Sequence, residues 1–162
     1  MSNVLIGIIG VILFIGLALA GALFLGPRFQ EATNTSKASA YVSQGKQIAD
    51  AMQMYRVQEG TVVPINTPID SLVGTYLKSV PTGWFLYSLG PPVDSAVAGF
   101  TVIPDTAQNR SICLRIQIES GQLPKGTQSM DSNVVTIRDA YPTRSYGCLK
   151  YDDTRLSIWA AA

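Results

Sequence analysis

From Val4 to Leu25 the chain has no charged residue and no proline, only Val, Ile, Leu, Phe and Ala interrupted by glycine. No other feature restricts the fold as strongly, because so much contiguous apolar surface cannot face water. As a helix, these 22 residues reach roughly 33 Å, enough to cross the hydrocarbon core of a bilayer. A secretory signal peptide would have a basic start and a shorter apolar stretch. Here no Lys or Arg precedes the run, so the expectation is a retained membrane-grade helix.

Composition divides the chain into residues 1–26, 27–59 and 60–162. The first zone ends at Gly26 and Pro27. Proline cannot donate a hydrogen bond to the carbonyl four residues back, so this pair is the expected place for a helix to bend or stretch, or for a fresh helix to begin. The second zone is polar with spaced apolar positions. Ala38, Tyr41, Gly45, Ile48, Met52 and Tyr55 recur at intervals of three and four, which makes one face of an amphipathic helix. Tyr41, Ile48, Met52 and Tyr55 are the residues expected to pack on the head. Gly60 is the expected C-cap, with Pro64 beyond it.

The third zone is rich in Pro, Gly, Thr and β-branched residues. It reads as a small antiparallel sheet with strands expected at Trp84–Ser88, Phe100–Ile103, Ser111–Glu119, Val134–Arg138 and Arg155–Trp159. In Ser111–Glu119, Ile112, Leu114, Ile116 and Ile118 alternate with Cys113, Arg115 and Gln117. That is the pattern of a half-buried strand, with the amphipathic helix as its cover. The fold class is therefore α+β: a long N-terminal helix, apolar and then amphipathic, packed on a small antiparallel sheet head.

Charge and residue types restrict function. Net charge is +1, and the head from Gly60 onward has eight basic and eight acidic residues, so nothing draws nucleic acid by bulk charge and no sequence-specific binding of it is expected. The chain has no histidine, which removes His-based acid–base catalysis and a Ser-His-Asp triad. No phosphate-gripping loop, metal constellation or nucleophile–base pair is legible, so neither an enzyme nor a cofactor is expected. The two cysteines, Cys113 and Cys148, lack partners for a metal site. Behind a membrane anchor they read as a disulfide in an oxidising compartment.

Weaker signals are set aside. Asn34-Thr35-Ser36 and Asn109-Arg110-Ser111 fit the glycosylation pattern, which chance often produces. Asp152 and Asp153 read as solvated turn residues rather than a cation site. Tyr141, Tyr146, Tyr151 and Trp159 read as core and interface packing rather than a glycan surface.

The apolar helix, the Gly-Pro seam, the amphipathic helix and the cysteine pair together resemble a type IV pilin. The local match is closest in "TNTSKASAYVSQGKQIADAMQMYRVQEG", where Ala51, Tyr55, Arg56 and Gly60 are similar to the helix end of the type IVb subgroup. Leu5 stands where that family usually has a Glu. The resemblance implies a homo-polymer, a helical filament whose core is built from the apolar helix. Gly7, Gly10, Gly16, Ala20 and Gly21 would give small faces for close packing there. It also implies an unassembled subunit in the inner membrane, a pilus assembly machinery as partner, and an extracellular filament as the final location. Two alternatives stay open: a minor pilin or pseudopilin of a secretion or conjugation system, and a membrane-anchored periplasmic binding module.

Overall fold

The computed structural model describes residues 2–64, 67–88, 97–130 and 144–161. Helix α1 spans Ser2–Glu59 and contains Pro27. By contacts the chain forms two compact units, Met1–Asn34 and Thr35–Ala162. The first is the apolar part of α1 with a short polar extension.

The second unit is a two-layer α+β head. It holds the remainder of α1, a 3-10 turn Ile69–Leu72, and strands β1 (Trp84–Ser88) and β2 (Val97–Pro104). Helix α2 (Ala107–Glu119) and strands β3 (Tyr146–Lys150) and β4 (Arg155–Ala161) follow. The four strands are antiparallel in the order β1-β2-β4-β3. Phe85 stands opposite Phe100, Phe100 opposite Trp159, and Trp159 opposite Gly147. Side chains alternate along each strand, so these residues share one face. Trp84, Ile103, Cys148, Leu156 and Ile158 lie on the other face. There they form one core with Ile48 and Met52 of α1 and Ile112 and Ile116 of α2.

Close approach fixes how α1 lies on the sheet. A Cβ at Gly45 would fall 2.8 Å from the Ala160 Cβ and 3.0 Å from the Trp84 ring. Ile48 fills the space over Gly99, where a Cβ would fall 2.8 Å from its Cγ2. The Trp84 indole N–H donates to the Gln44 side-chain oxygen at 3.0 Å. The helix stops where expected: Gly60 adopts φ 68°, the left-handed conformation glycine tolerates.

One expected strand is a helix. Ser111–Glu119 belongs to α2. Although Ile and Leu alternate there, the buried residues are Ile112, Cys113, Ile116 and Gln117. That i, i+1, i+4, i+5 stripe is a helical face. The start signal lies upstream, where Thr106 accepts a hydrogen bond from the Asn109 backbone N–H at 3.2 Å, an N-cap. The strand expected at Val134–Arg138 lies outside the described residues. Strand β3 was not expected; its Gly-Cys pair and short length hide the alternation. The strands expected at Trp84–Ser88, Phe100–Ile103 and Arg155–Trp159 are present, the last two extended at their ends.

Candidate functional site

In the first unit, every residue from Val4 to Leu25 is exposed except the half-buried Gly21. Phe14 is 74% and Phe24 82% exposed, so the described residues supply no cover. A Cβ placed on Gly7, Gly10, Gly16, Gly21 or Gly26 would meet nothing within 4 Å, and Ala20 is likewise exposed. These small residues leave open faces on the helix. Among the described residues, α1 is the helix long and apolar enough to cross a membrane, which is compatible with membrane anchoring. It passes through Gly26 and Pro27 without interruption. Beyond the seam, Arg28 and Glu31 form an exposed pair at 3.8 Å. The Thr33 hydroxyl donates back to the Phe29 carbonyl at 2.8 Å.

In the second unit, the four residues expected to join helix to head do so. Ile48 and Met52 are buried, and Tyr41 and Tyr55 pack at the core's edge. Tyr55 meets Tyr76 edge-on, with ring centroids 5.4 Å apart. The Tyr76 hydroxyl donates to Glu59 at 3.0 Å. Desolvation first, and then the neighbouring Glu59 carboxylate, push the Tyr76 pKa above the usual phenol value.

Cys113 and Cys148 form a disulfide that ties α2 to β3, with Cα atoms 5.4 Å apart. Two glutamines complete this clasp. The Gln117 side-chain amide donates to the Cys148 carbonyl at 3.0 Å, and the Cys148 N–H donates to the Gln122 side-chain oxygen at 3.2 Å. The pairing of β3 with β4 explains why both groups are available. The Tyr151 N–H bonds to the Arg155 carbonyl and the Ala161 N–H to the Ser145 carbonyl, so odd-numbered residues of β3 face β4. Cys148 therefore points its backbone groups to the sheet edge, where an unpaired strand edge invites association with other chains. Sequence reasoning missed both glutamines, since a polar residue in a helix gives no signal of its distant backbone partner.

Two ion pairs brace the ends of this layer. Arg110 grips Asp105 through two bonds of 2.6 and 2.9 Å. The Asp105 side chain is only 3% exposed, and the Arg110 hydrogen bond lowers its pKa. Asp152 accepts from Arg155 and from the Thr154 N–H and hydroxyl. These bonds, that from Arg155 foremost, lower its pKa to about 2. Asp152 thus serves the turn between β3 and β4, and no group of three His, Cys, Asp or Glu that could hold a metal ion occurs among the described residues. In the Asn109-Arg110-Ser111 motif, the Asn109 side-chain amide donates to the Pro104 carbonyl at 2.9 Å.

The face of the sheet turned away from α1 is aromatic. Phe85, Tyr87 and Tyr151 surround Phe100 at centroid distances of 5.1, 5.5 and 5.8 Å. The Arg155 guanidinium lies over Tyr151 at 4.9 Å. Trp159 is buried on this face and Tyr146 partly buried on the other, while Tyr151 is exposed; Tyr141 lies outside the described residues. The alternation of Phe85, Leu86 and Tyr87 is the signal that could have found this patch.

Comparison with protein-family models, curated proteins and solved structures gives no match.

Proposed function

We propose that this chain is a structural subunit of an extracellular, type IV pilus-like filament that polymerises through its N-terminal helix. One observation carries the reading: α1 exposes its whole apolar segment in the first unit, yet in the second it is built into a stapled head by close glycine contacts. An apolar surface of about 1,000 Å² costs roughly 25 kcal/mol in water. A bilayer covers it before assembly, and copies of the same helix cover it afterwards. The open faces at Gly7, Gly10, Gly16, Ala20 and Gly21 suit close helix–helix approach. The head remains outside this core and coats the fibre.

The seam at Gly26 and Pro27 has a place in the same reading. In lipid, an unsatisfied backbone group is expensive and the helix holds. Within a polymer, neighbours or water can satisfy freed carbonyls, and the chain can lengthen there.

Electron microscopy of sheared cell-surface material, labelled for this chain, tests the proposal. Decorated fibres with this chain as the bulk subunit support it. Fibres holding only a few copies would make it a minor component. Detergent-soluble monomer and no fibre would leave a membrane-anchored module as the better reading.

A further inference from the structure

We propose that Gln117 and Gln122 seal the β3 edge of the sheet, so that it cannot add a strand from a second copy of this chain. The inference concerns the head alone and holds whether or not the chain forms a filament.

An outer strand presents a row of backbone N–H and C=O groups that pair readily with another chain. On β3 the groups of Cys148 stand at the centre of that row. Both are occupied from within the chain. The Gln117 amide donates to the carbonyl at 3.0 Å, and the Gln122 side-chain oxygen accepts from the N–H at 3.2 Å. Between them the two side chains repeat the donor and acceptor that a neighbouring strand would offer. The strand is also covered: Gly147, Cys148 and Leu149 are all buried, although β3 is an outer strand of the sheet.

Local sequence builds this seal. Gln117 lies one helical turn after Cys113 on α2, so the disulfide that ties α2 to β3 also holds Gln117 at the edge. After α2, Gly121 takes φ 76°, a conformation glycine tolerates, and the chain turns back. The Leu123 N–H then bonds to the Gln117 carbonyl at 3.1 Å, and Arg144, just before β3, donates to the Gly121 carbonyl at 3.3 Å. Gly147 leaves room for the second glutamine: a Cβ there would fall 2.7 Å from the Gln122 oxygen. The opposite edge, at β1, differs. The Trp84 N–H bonds to the Pro81 carbonyl rather than to β2, so Leu86, two residues on, also turns its backbone groups outward. Among the described residues, no side chain hydrogen-bonds to Leu86.

Hydrogen exchange and association of the detergent-solubilised full chain test the seal. In the wild type the Cys148 amide should exchange more slowly than the Leu86 amide; equal rates refute the seal. Gln122→Met keeps the side chain's size and removes its oxygen. The Cys148 amide should then exchange about fivefold to tenfold faster, the ratio that one net hydrogen bond sustains. The Ile158 amide, inside the sheet, should be unchanged. The variant should also form oligomers that the wild type lacks at the same concentration. Gln122→Glu keeps an acceptor and should behave as the wild type. Lys150, two residues after Cys148, faces the same edge. Proline there removes a donor that strand addition needs and is tolerated on an outer strand, so adding Lys150→Pro to Gln122→Met should restore the wild-type distribution. A Gln122→Met chain that associates no more than the wild type overturns the proposal. Oligomers that persist with Lys150→Pro do so too, because the contact would then lie elsewhere. Loss of Ile158 protection in Gln122→Met also counts against it, since the glutamine would then hold the fold rather than guard the edge.

Discussion

Glycine does opposite work in the two units of this molecule. In the first, Gly7, Gly10, Gly16, Gly21 and Gly26 face open space. In the second, Gly45 and Gly99 are in contact closer than any side chain permits. The apolar residues divide in the same way. Phe14 and Phe24 are bare, while Ile48 and Met52, farther along the same helix, are buried. One helix therefore carries a finished interface and an unfinished one. The head's core packs within the chain, and the apolar segment has no cover among the described residues.

The sharpest way to break this contrast is a charge in the open segment. On the filament reading, Gly16→Arg should abolish fibres while leaving the head folded, because a Cβ at Gly16 meets nothing within 4 Å and a charge buried among apolar neighbours is costly. Fibre yield by microscopy and head integrity by non-reducing peptide mapping of the Cys113–Cys148 link read the two halves separately. Normal fibre yield would mean that the segment is not the polymer core.

Next in size is the disulfide. Its two cysteines are 35 positions apart, and the chain-entropy account values such a link at about 4 kcal/mol. Cys148→Ser should lower the denaturant midpoint of the detergent-solubilised chain by a corresponding amount. The helical signal of the first unit should persist past the head's transition. A midpoint shift that corresponds to under about 1 kcal/mol of stability would mean that the core and the Gln117–Cys148–Gln122 clasp hold the head without the link.

A smaller effect sharpens the glycine comparison itself. Gly45→Ala should destabilise the head by about 1–3 kcal/mol, the usual cost of overpacking. That loss comes despite alanine's better helix propensity. Gly10→Ala should leave the head's unfolding unchanged, having no neighbour to meet. Equal responses at the two positions would erase the distinction between closed and open faces.

The same division shows how much the sequence discloses. The apolar segment, the α1 face at Tyr41, Ile48, Met52 and Tyr55, the Gly60 stop and the cysteine pair were legible, because each depends on local periodicity or composition. The identity of α2 was not. Its Ile and Leu residues alternate as in a strand, and only Cys113 and Gln117, buried through partners on β3, turn the pattern into a helical stripe. The aromatic face was hidden for a similar reason. Phe85, Phe100 and Tyr151 stand far apart in the chain, and their register joins them. A continuous helix through Pro27 is likewise not evident from a residue that lowers helix propensity.

The smallest predicted effect is pH dependence, and it should belong to the head alone. No titratable side chain lies between Val4 and Leu25, so the apolar segment has nothing to protonate. In the head, the Asp152 pKa is lowered from 3.8 to about 2, first by its hydrogen bonds from Arg155. A carboxylate whose folded pKa is depressed binds fewer protons folded than unfolded. Its contribution is therefore fully present above the unfolded value and is lost as pH falls through the folded one. The window is pH 3.8 down to about 2. Asp105, lowered by Arg110, adds to the loss in the same direction. Asp152→Asn should flatten this acid limb by lowering the melting temperature at neutral pH slightly, with variant and wild type converging below about pH 2; the difference is small because the pair is solvent-screened. The amide can still accept from the Thr154 N–H, so the turn should survive. If the acid limb of the variant matches that of the wild type, the Asp152–Arg155 pair has no part in the head's acid sensitivity, and Asp105 would have to account for it.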